Sequence, residues 1–368
     1  MRAKLSGKSV FLLLLFCITS TFALASSSKS THHYLLKNAD IVKIDKVIND
    51  TITILTGNVN LIYDDIEFFA DNAQIFQNKK RIKLTGNVKA IDDTLEAGAQ
   101  KATYLHKENE LFLERRAYFI EKNSQMQKQK HIRADKINYF RGKKLVEAEG
   151  NIFANDLAQD MNLMCGHFKY DIEKGYGVAR NNPELTFQRK KTAKIYSKQM
   201  EFFYNKHKFT ATYNVRIETK DSHTNARFLI YFQDDKKAVL LGNPEFHSDT
   251  SDAFAMEFHI FFNEETIDKI FLIKDGEIHF RSKDQTEKLN YLFADKVMLD
   301  LENEKLYYIN AEEVTKSFLQ QSKTKEKEPY INKLKAKGLD VFFDDNENLE
   351  KVIASENIKG IYKFLPKE

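Results

Sequence analysis

The chain has 368 residues, with 57 Lys and Arg against 53 Asp and Glu and a formal net charge of +4, so its charge describes a mixed, solvated surface. No single-sign patch of the kind that recruits nucleic acid is evident, and no nucleic-acid partner is expected. Twenty-nine Phe and 16 Tyr beside only 4 Pro and no Trp make a β-rich composition with much aromatic surface to bury.

At the amino terminus Arg2, Lys4 and Lys8 precede the apolar run Val10 to Ile18 and then Ala23-Leu24-Ala25. A basic start, a short apolar core and a small-x-small site read as a cleaved secretory signal peptide over residues 1–25. The run is short for a membrane span, which needs roughly 20 residues. Phe16 stands where a lipoprotein leader wants a small residue before Cys17, which argues against lipidation. With Cys17 removed only Cys165 remains, so no intrachain disulfide is expected despite an oxidising destination.

Residues 26–368 are expected to form a single elongated domain organised around Leu55 to Phe76. That stretch holds a Gly57-Asn58-Val59 corner and a small residue, Ala70, followed by alternating apolar positions. Ala70 is echoed by Ala39, Ala99, Ala134, Cys165, Ser197, Ala226, Ala255, Ala294 and Ala336. A period of about 30 residues marks a stacked-repeat architecture. Three residues after the anchors stand Val42, Ala73, Ala102, Ile137, Phe168, Met200, Leu229, Phe258, Val297 and Leu339. Five after stand Ile44, Ile75, Tyr104, Tyr139, Tyr170, Phe202, Tyr231, Ile260, Leu299 and Val341. Polar residues mostly fall between them, which is the alternation of a strand with one buried face.

Each repeat reads as a strand, a polar turn and a return strand. The turns include Gln77-Asn78-Lys79-Lys80, Arg141-Gly142-Lys143-Lys144, Asn205-Lys206-His207-Lys208 and Glu302-Asn303-Glu304-Lys305. An asparagine stands seventeen residues past several anchors (Asn87, Asn151, Asn182, Asn214, Asn243), and Pro183 and Pro244 directly follow two of them. Proline cannot donate to a ladder, so a bend is expected there. The same offset yields Arg116 and Ala311, so the corner is expected to be missing from some repeats. Polar insertions at Lys122 to Lys130, Ser282 to Lys288 and Gln320 to Pro329 fall between repeats.

Chemistry beyond packing is thin. The carboxylate pairs Asp64-Asp65, Asp92-Asp93, Asp234-Asp235 and Asp344-Asp345 fall in or beside turns and read as solvated turn residues. His32-His33, His131, His167, His207, His223, His247 and His259 show no metal-ligand spacing, and neither a phosphate loop nor a Gly-x-Ser-x-Gly elbow is present. No catalysis, metal or cofactor is expected.

Corner elements such as Leu84-Thr85-Gly86-Asn87-Val88, with Ile132-Arg133-Ala134-Asp135-Lys136-Ile137-Asn138-Tyr139, resemble the OstA-like proteins of lipopolysaccharide transport. That family comprises LptA, LptC and the amino-terminal domain of LptD, and the resemblance covers nearly all of the mature chain. It implies an all-β, elongated U-shaped β-jellyroll (β-taco) of about ten stacked hairpin repeats. It also implies a periplasmic bridge that carries lipopolysaccharide or a related envelope glycolipid in an apolar groove. Like-folded transport components at the inner and outer membranes would be partners, and head-to-tail self-association would extend the groove. The chain is longer than a typical bridge, while the lack of a retained anchor and of a barrel after Glu368 favours an LptA-like role.

On the residues alone, Ile75, Tyr104, Ile137, Tyr139, Phe168, Tyr170, Met200, Phe202, Leu229, Tyr231, Phe258 and Ile260 are the candidate groove lining. Burying a methylene is worth about 0.8 kcal/mol, so an open interior would hold acyl chains. The alternative is a structural or adhesive β-repeat protein with a dry core. The unpaired strand edges near residues 37–44 and 352–362 are the expected contact points with partners.

Overall fold

The computed structural model describes residues 34–122, 128–156, 161–187, 192–263, 266–281, 290–302, 305–321, 330–344 and 347–364. The leader with Cys17, His32-His33, most of the three insertions, Asn303-Glu304 and Asp345 lie outside them. The protein is all-β. Among the described residues, 26 strands join in one antiparallel sheet, with two single-turn 3₁₀ segments at Arg141–Lys143 and Tyr204–Lys206. Successive hairpins pair in sequence order: Asp50–Tyr63 with Ile66–Phe76, that strand with Arg81–Ile91, and onward to Tyr330–Phe343.

Each long strand bends near its middle, and the bends divide the sheet into two facing walls with the apolar side chains between them. Along one wall the register lines up Ile75, Ile82, Tyr104, Leu111, Tyr139, Val146 and Tyr170. The same row continues through Gly177, Phe202, Phe209, Tyr231, Ala238, Ile260, Ile270 and Leu299. The opposite wall carries a matching row, from Phe68 through Ala97, Phe119, Ile132, Leu163, Leu185, Ile195, Ile217, Thr224, Phe246 and Ala253 to Ile278. Because side chains alternate strictly along a strand, one register per hairpin places every inward residue in a lateral track.

The bend has a repeated physical cause. Gly86 at φ +75° and Asn87 at φ +47° turn the strand, and the ladder skips between Thr85 and Val88. Asn87 Nδ2 donates to the Asp71 carboxylate at 3.1 and 3.2 Å, and a Cβ on Gly86 would collide with that carboxylate. Asp40 with Gly57-Asn58 and Asp135 with Gly150-Asn151 repeat the arrangement. The bend also occurs where the sequence lacks this motif, which corrects the expectation of missing corners. Arg115 and Arg116 adopt φ +65° and +54°, Lys274 and Asp275 +60° and +53°, and Glu313 +55°. The left-handed conformation costs about 1–2 kcal/mol for such a residue, so packing of the two walls overrides local preference there.

Further along, the bend severs the strand outright. Tyr176–Arg180 is followed by Glu184–Phe187, and Lys237–Leu241 by Glu245–Ser248. Pro183 and Pro244 stand at these two breaks, where a missing N–H cannot continue the ladder. At the amino-terminal edge Val42 and Ile44, inward by the repeat, are 50 % and 63 % exposed, with no layer preceding them among the described residues.

Candidate functional site: an apolar interior with clasped and open stretches

The two walls end in two rims of hairpin turns. Asp64-Asp65 and Asp92 stand on the first rim, and His106 and Arg141 on the second. The interior between them differs along its length. In the first stretch it is filled. Phe68 of one wall meets Tyr104 of the other at 5.5 Å between ring centroids, and Phe119 meets Tyr139 at 5.2 Å. Burial pushes the Tyr104 and Tyr139 hydroxyls up to about 12, and the charges of Asp64 and Asp92 respectively add to the effect.

Across the mouth of this stretch the rims are tied together. Arg141 donates to Asp65 through two bonds of 3.0 and 2.8 Å, and to Asp92 at 3.2 Å. His106 Nδ1 lies 2.9 Å from Asp64. Burial alone would lower the Arg141 pKa, but the hydrogen bonds and charges of Asp65 and Asp92 win and raise it. The first two carboxylate pairs are therefore not simply solvated turn residues. Asp92 is only 9 % exposed and also accepts the Thr94 and Leu95 N–H groups, whereas Asp65 remains 68 % exposed.

One layer on, Lys130 of the first rim reaches the Tyr170 hydroxyl at 2.9 Å and Glu121 at 3.3 Å, with its ammonium 4.3 Å from the Tyr204 ring centroid. Gaps of about 20 and 30 Å³ lie beside Met161, Phe202 and Tyr204. Phe187 then crosses the mouth to Phe209 and Tyr231, with ring centroids 5.8 and 6.3 Å apart.

Beyond Phe187 the walls part around an apolar cavity of about 470 Å³. Ile195, Ile217, Phe246 and Ile278 line it from one wall, and Leu229, Tyr231, Ala238, Phe258, Ile260, Ile270 and Leu299 from the other. At its far end Phe280 meets Phe343 across the mouth at 5.8 Å. The volume lies within the range of small-ligand sites, and its lining offers desolvation of alkyl groups as its main source of affinity.

The twelve candidate residues thus fall into four environments. Leu229, Tyr231, Phe258 and Ile260 line the cavity. Phe168, Tyr170 and Phe202 border the small gaps. Ile75, Ile137 and Met200 are closed core, and Tyr104 and Tyr139 sit beneath the Arg141 clasp. The positions three and five after each anchor trace one wall and miss the other. The signal of that second wall stands two residues before each anchor after Ala39, at Phe68, Ala97, Ile132, Leu163, Ile195, Thr224, Ala253, Leu292 and Leu334. Cys165 is buried, which pushes its thiol up to about 12 and leaves it unreactive. Among the described residues no group of His, Cys, Asp and Glu is arranged to hold a metal, and no helix is long and apolar enough to cross a membrane.

Fold and interior together define an elongated antiparallel β-jellyroll of stacked hairpins with an apolar lumen. Residues 38–145 match the family described as "LptA/(LptD N-terminal domain) LPS transport protein", so the resemblance read from the corner motifs holds over that segment. Among solved structures the chain is similar to LptH of Pseudomonas aeruginosa, the LptA-homologous periplasmic component of its lipopolysaccharide transport device. Identity is 9 %, the alignment covers 28 % of this chain and 75 % of that one, and the TM-score is 0.26. No curated protein matches the chain.

Proposed function

We propose that the protein is a non-enzymatic lipid-binding component of the cell envelope, in which residues 26–368 act as one OstA-like unit. After export by the leader it works in the periplasm, holding the acyl chains of lipopolysaccharide or a related glycolipid between its walls. The single observation carrying this reading is the apolar cavity of about 470 Å³ bordered by Tyr231, Phe258 and Ile260. The family match over residues 38–145 supports it.

Two edges support assembly with like-folded partners or with further copies. Ile41, Val42 and Ile44 are exposed at one end, and Ile353, Ile358, Ile361 and Tyr362 at the other. An edge strand of this kind extends a sheet when a second strand is offered. The filled first stretch favours a second reading for that part alone, as a rigid structural spacer.

The test is photo-crosslinking in cells. A benzophenone side chain replacing inward Ile260 should capture lipid, and one replacing outward His259 should not. Equal labelling at both positions would remove the case for an internal lipid site.

A further inference from the structure

We propose that the rim formed by residues 216–223 and 247–252 binds the glycosyl headgroup of an amphiphile whose alkyl part occupies the cavity. This deepens the lipid-binding reading and rests on it. The observation is a shared wall. Thr219, Ser222 and Ser248 border both the apolar cavity and a polar cleft of about 450 Å³. An amphiphile needs these two environments side by side, and along this mouth they meet at those three hydroxyls.

The mouth is asymmetric. On the facing rim the cavity is bordered by Phe262, Ile267, Leu301 and Leu306, which offer a headgroup no side-chain hydrogen bond. Glu347, the one ionised side chain among the residues lining the cavity, supplies that rim with a single acceptor group and disfavours an anion. The headgroup therefore turns toward the hydroxyl side. There the register places Ser222 opposite Ser248 and His223 opposite His247. The two imidazoles stack at 5.0 Å with 29° between their planes, and His247 Nδ1 lies 3.0 Å from Asp252.

Charge selects the headgroup class. Glu218, Asp221, Asp249 and Asp252 border the cleft against two permanent cations, Arg216 and Lys220, and Arg216 is paired with Glu218 at 2.7 Å. An excess of carboxylates repels a phosphate. Sugar hydroxyls donate to carboxylates and accept from hydroxyl and imidazole N–H groups, so a polyol suits this set. The stacked rings add a flat face against which a pyranose can pack.

The experiment uses the full chain and displacement of the apolar dye 1-N-phenylnaphthylamine, with competitors kept below their micelle concentrations. Dodecyl maltoside and dodecyl phosphate share an alkyl chain and differ in headgroup. Dodecyl maltoside should displace the dye at a concentration lower by about tenfold or more. His247→Ala, and separately Asp252→Asn, should each remove most of that advantage while leaving dye affinity and far-ultraviolet circular dichroism unchanged. Equal competition by the two amphiphiles, preference for the phosphate, or parallel loss of both in the variants would overturn the headgroup site and leave the cavity reading intact. Failure of the dye and of both amphiphiles to bind the wild-type chain would overturn both.

Discussion

Arg141 and Asp65, 76 positions apart in sequence, meet through two parallel hydrogen bonds that join opposite rims of the folded sheet. Bidentate guanidinium–carboxylate geometry is the strongest form of such a contact. Asp92 shares the same guanidinium from a third turn. Arg141→Met should cost about 2 kcal/mol, because it leaves the nearly buried Asp92 carboxylate without its cation. Asp65→Asn should cost only about 0.5 kcal/mol, because Asp65 is well solvated. Urea unfolding of both variants measures the difference, and equal losses would contradict the unequal burial of the two carboxylates.

The clasp carries a pH dependence of known sign. The hydrogen bond from Arg141 holds the Asp65 carboxyl below its ordinary value of 3.8, against the opposing effect of burial. A depressed acid stabilises the fold fully above its unfolded value and loses that contribution as pH falls through the folded one. The melting-temperature gap between wild type and Asp65→Asn should therefore hold constant from neutral pH down to about 4 and shrink in more acidic buffer. At the alkaline end Tyr104, raised from 10.0 to about 12 by burial first and then by Asp64, acts in the opposite direction. Its contribution is complete below pH 10.0 and declines from there to about 12, so Tyr104→Phe should flatten the loss of stability over that window.

The corner glycines are required by geometry and other glycines are not. Gly86→Ala places a methyl group on the Asp71 carboxylate at a φ of +75°, and should cost about 2–3 kcal/mol. At Gly142 a methyl group would meet nothing within 4 Å, so alanine should change stability by less than about 0.5 kcal/mol. Thermal denaturation of the pair tests this, and matched melting temperatures would contradict it.

Filled and open interiors respond differently to added volume. Ala97 is fully buried in the filled stretch, so Ala97→Leu should cost about 1–3 kcal/mol through overpacking. Ala238 borders the cavity, so Ala238→Leu should alter stability by less than about 1 kcal/mol while reducing lipid capture at Ile260. A large destabilisation from Ala238→Leu would show that the cavity is not free space.

The ends of the sheet should govern association. Ile44→Lys and Ile361→Lys change side chains that are already exposed, so the melting temperature should hold within about 2 °C. Sedimentation velocity over a concentration series should show weaker self-association or weaker partner binding for each variant. Association unchanged in both variants would exclude these edges as contact surfaces.

The strand period, the repeat of about 30 residues and the inward row from Ile75 to Ile260 were legible in the sequence, because alternation is a local property that every hairpin repeats. The corners at Arg115-Arg116 and Lys274-Asp275 were not, since the left-handed residues themselves are neither glycine nor asparagine and wall packing imposes their backbone. Their trace is subtler: Leu113 and Ala117, like Leu84 and Val88, keep apolar residues four apart around the bend. Which stretch is filled and which is open depended on contacts between walls. Phe68 with Tyr104, and Phe119 with Tyr139, close the interior by meeting from strands whose separation in sequence follows no period. The Arg141 clasp is likewise a product of folding the sheet, which brings turns 76 positions apart within hydrogen-bonding distance. Sequence alone therefore determined the strands and their inward faces, and the tertiary structure decided where the two faces touch and where they leave room for a ligand.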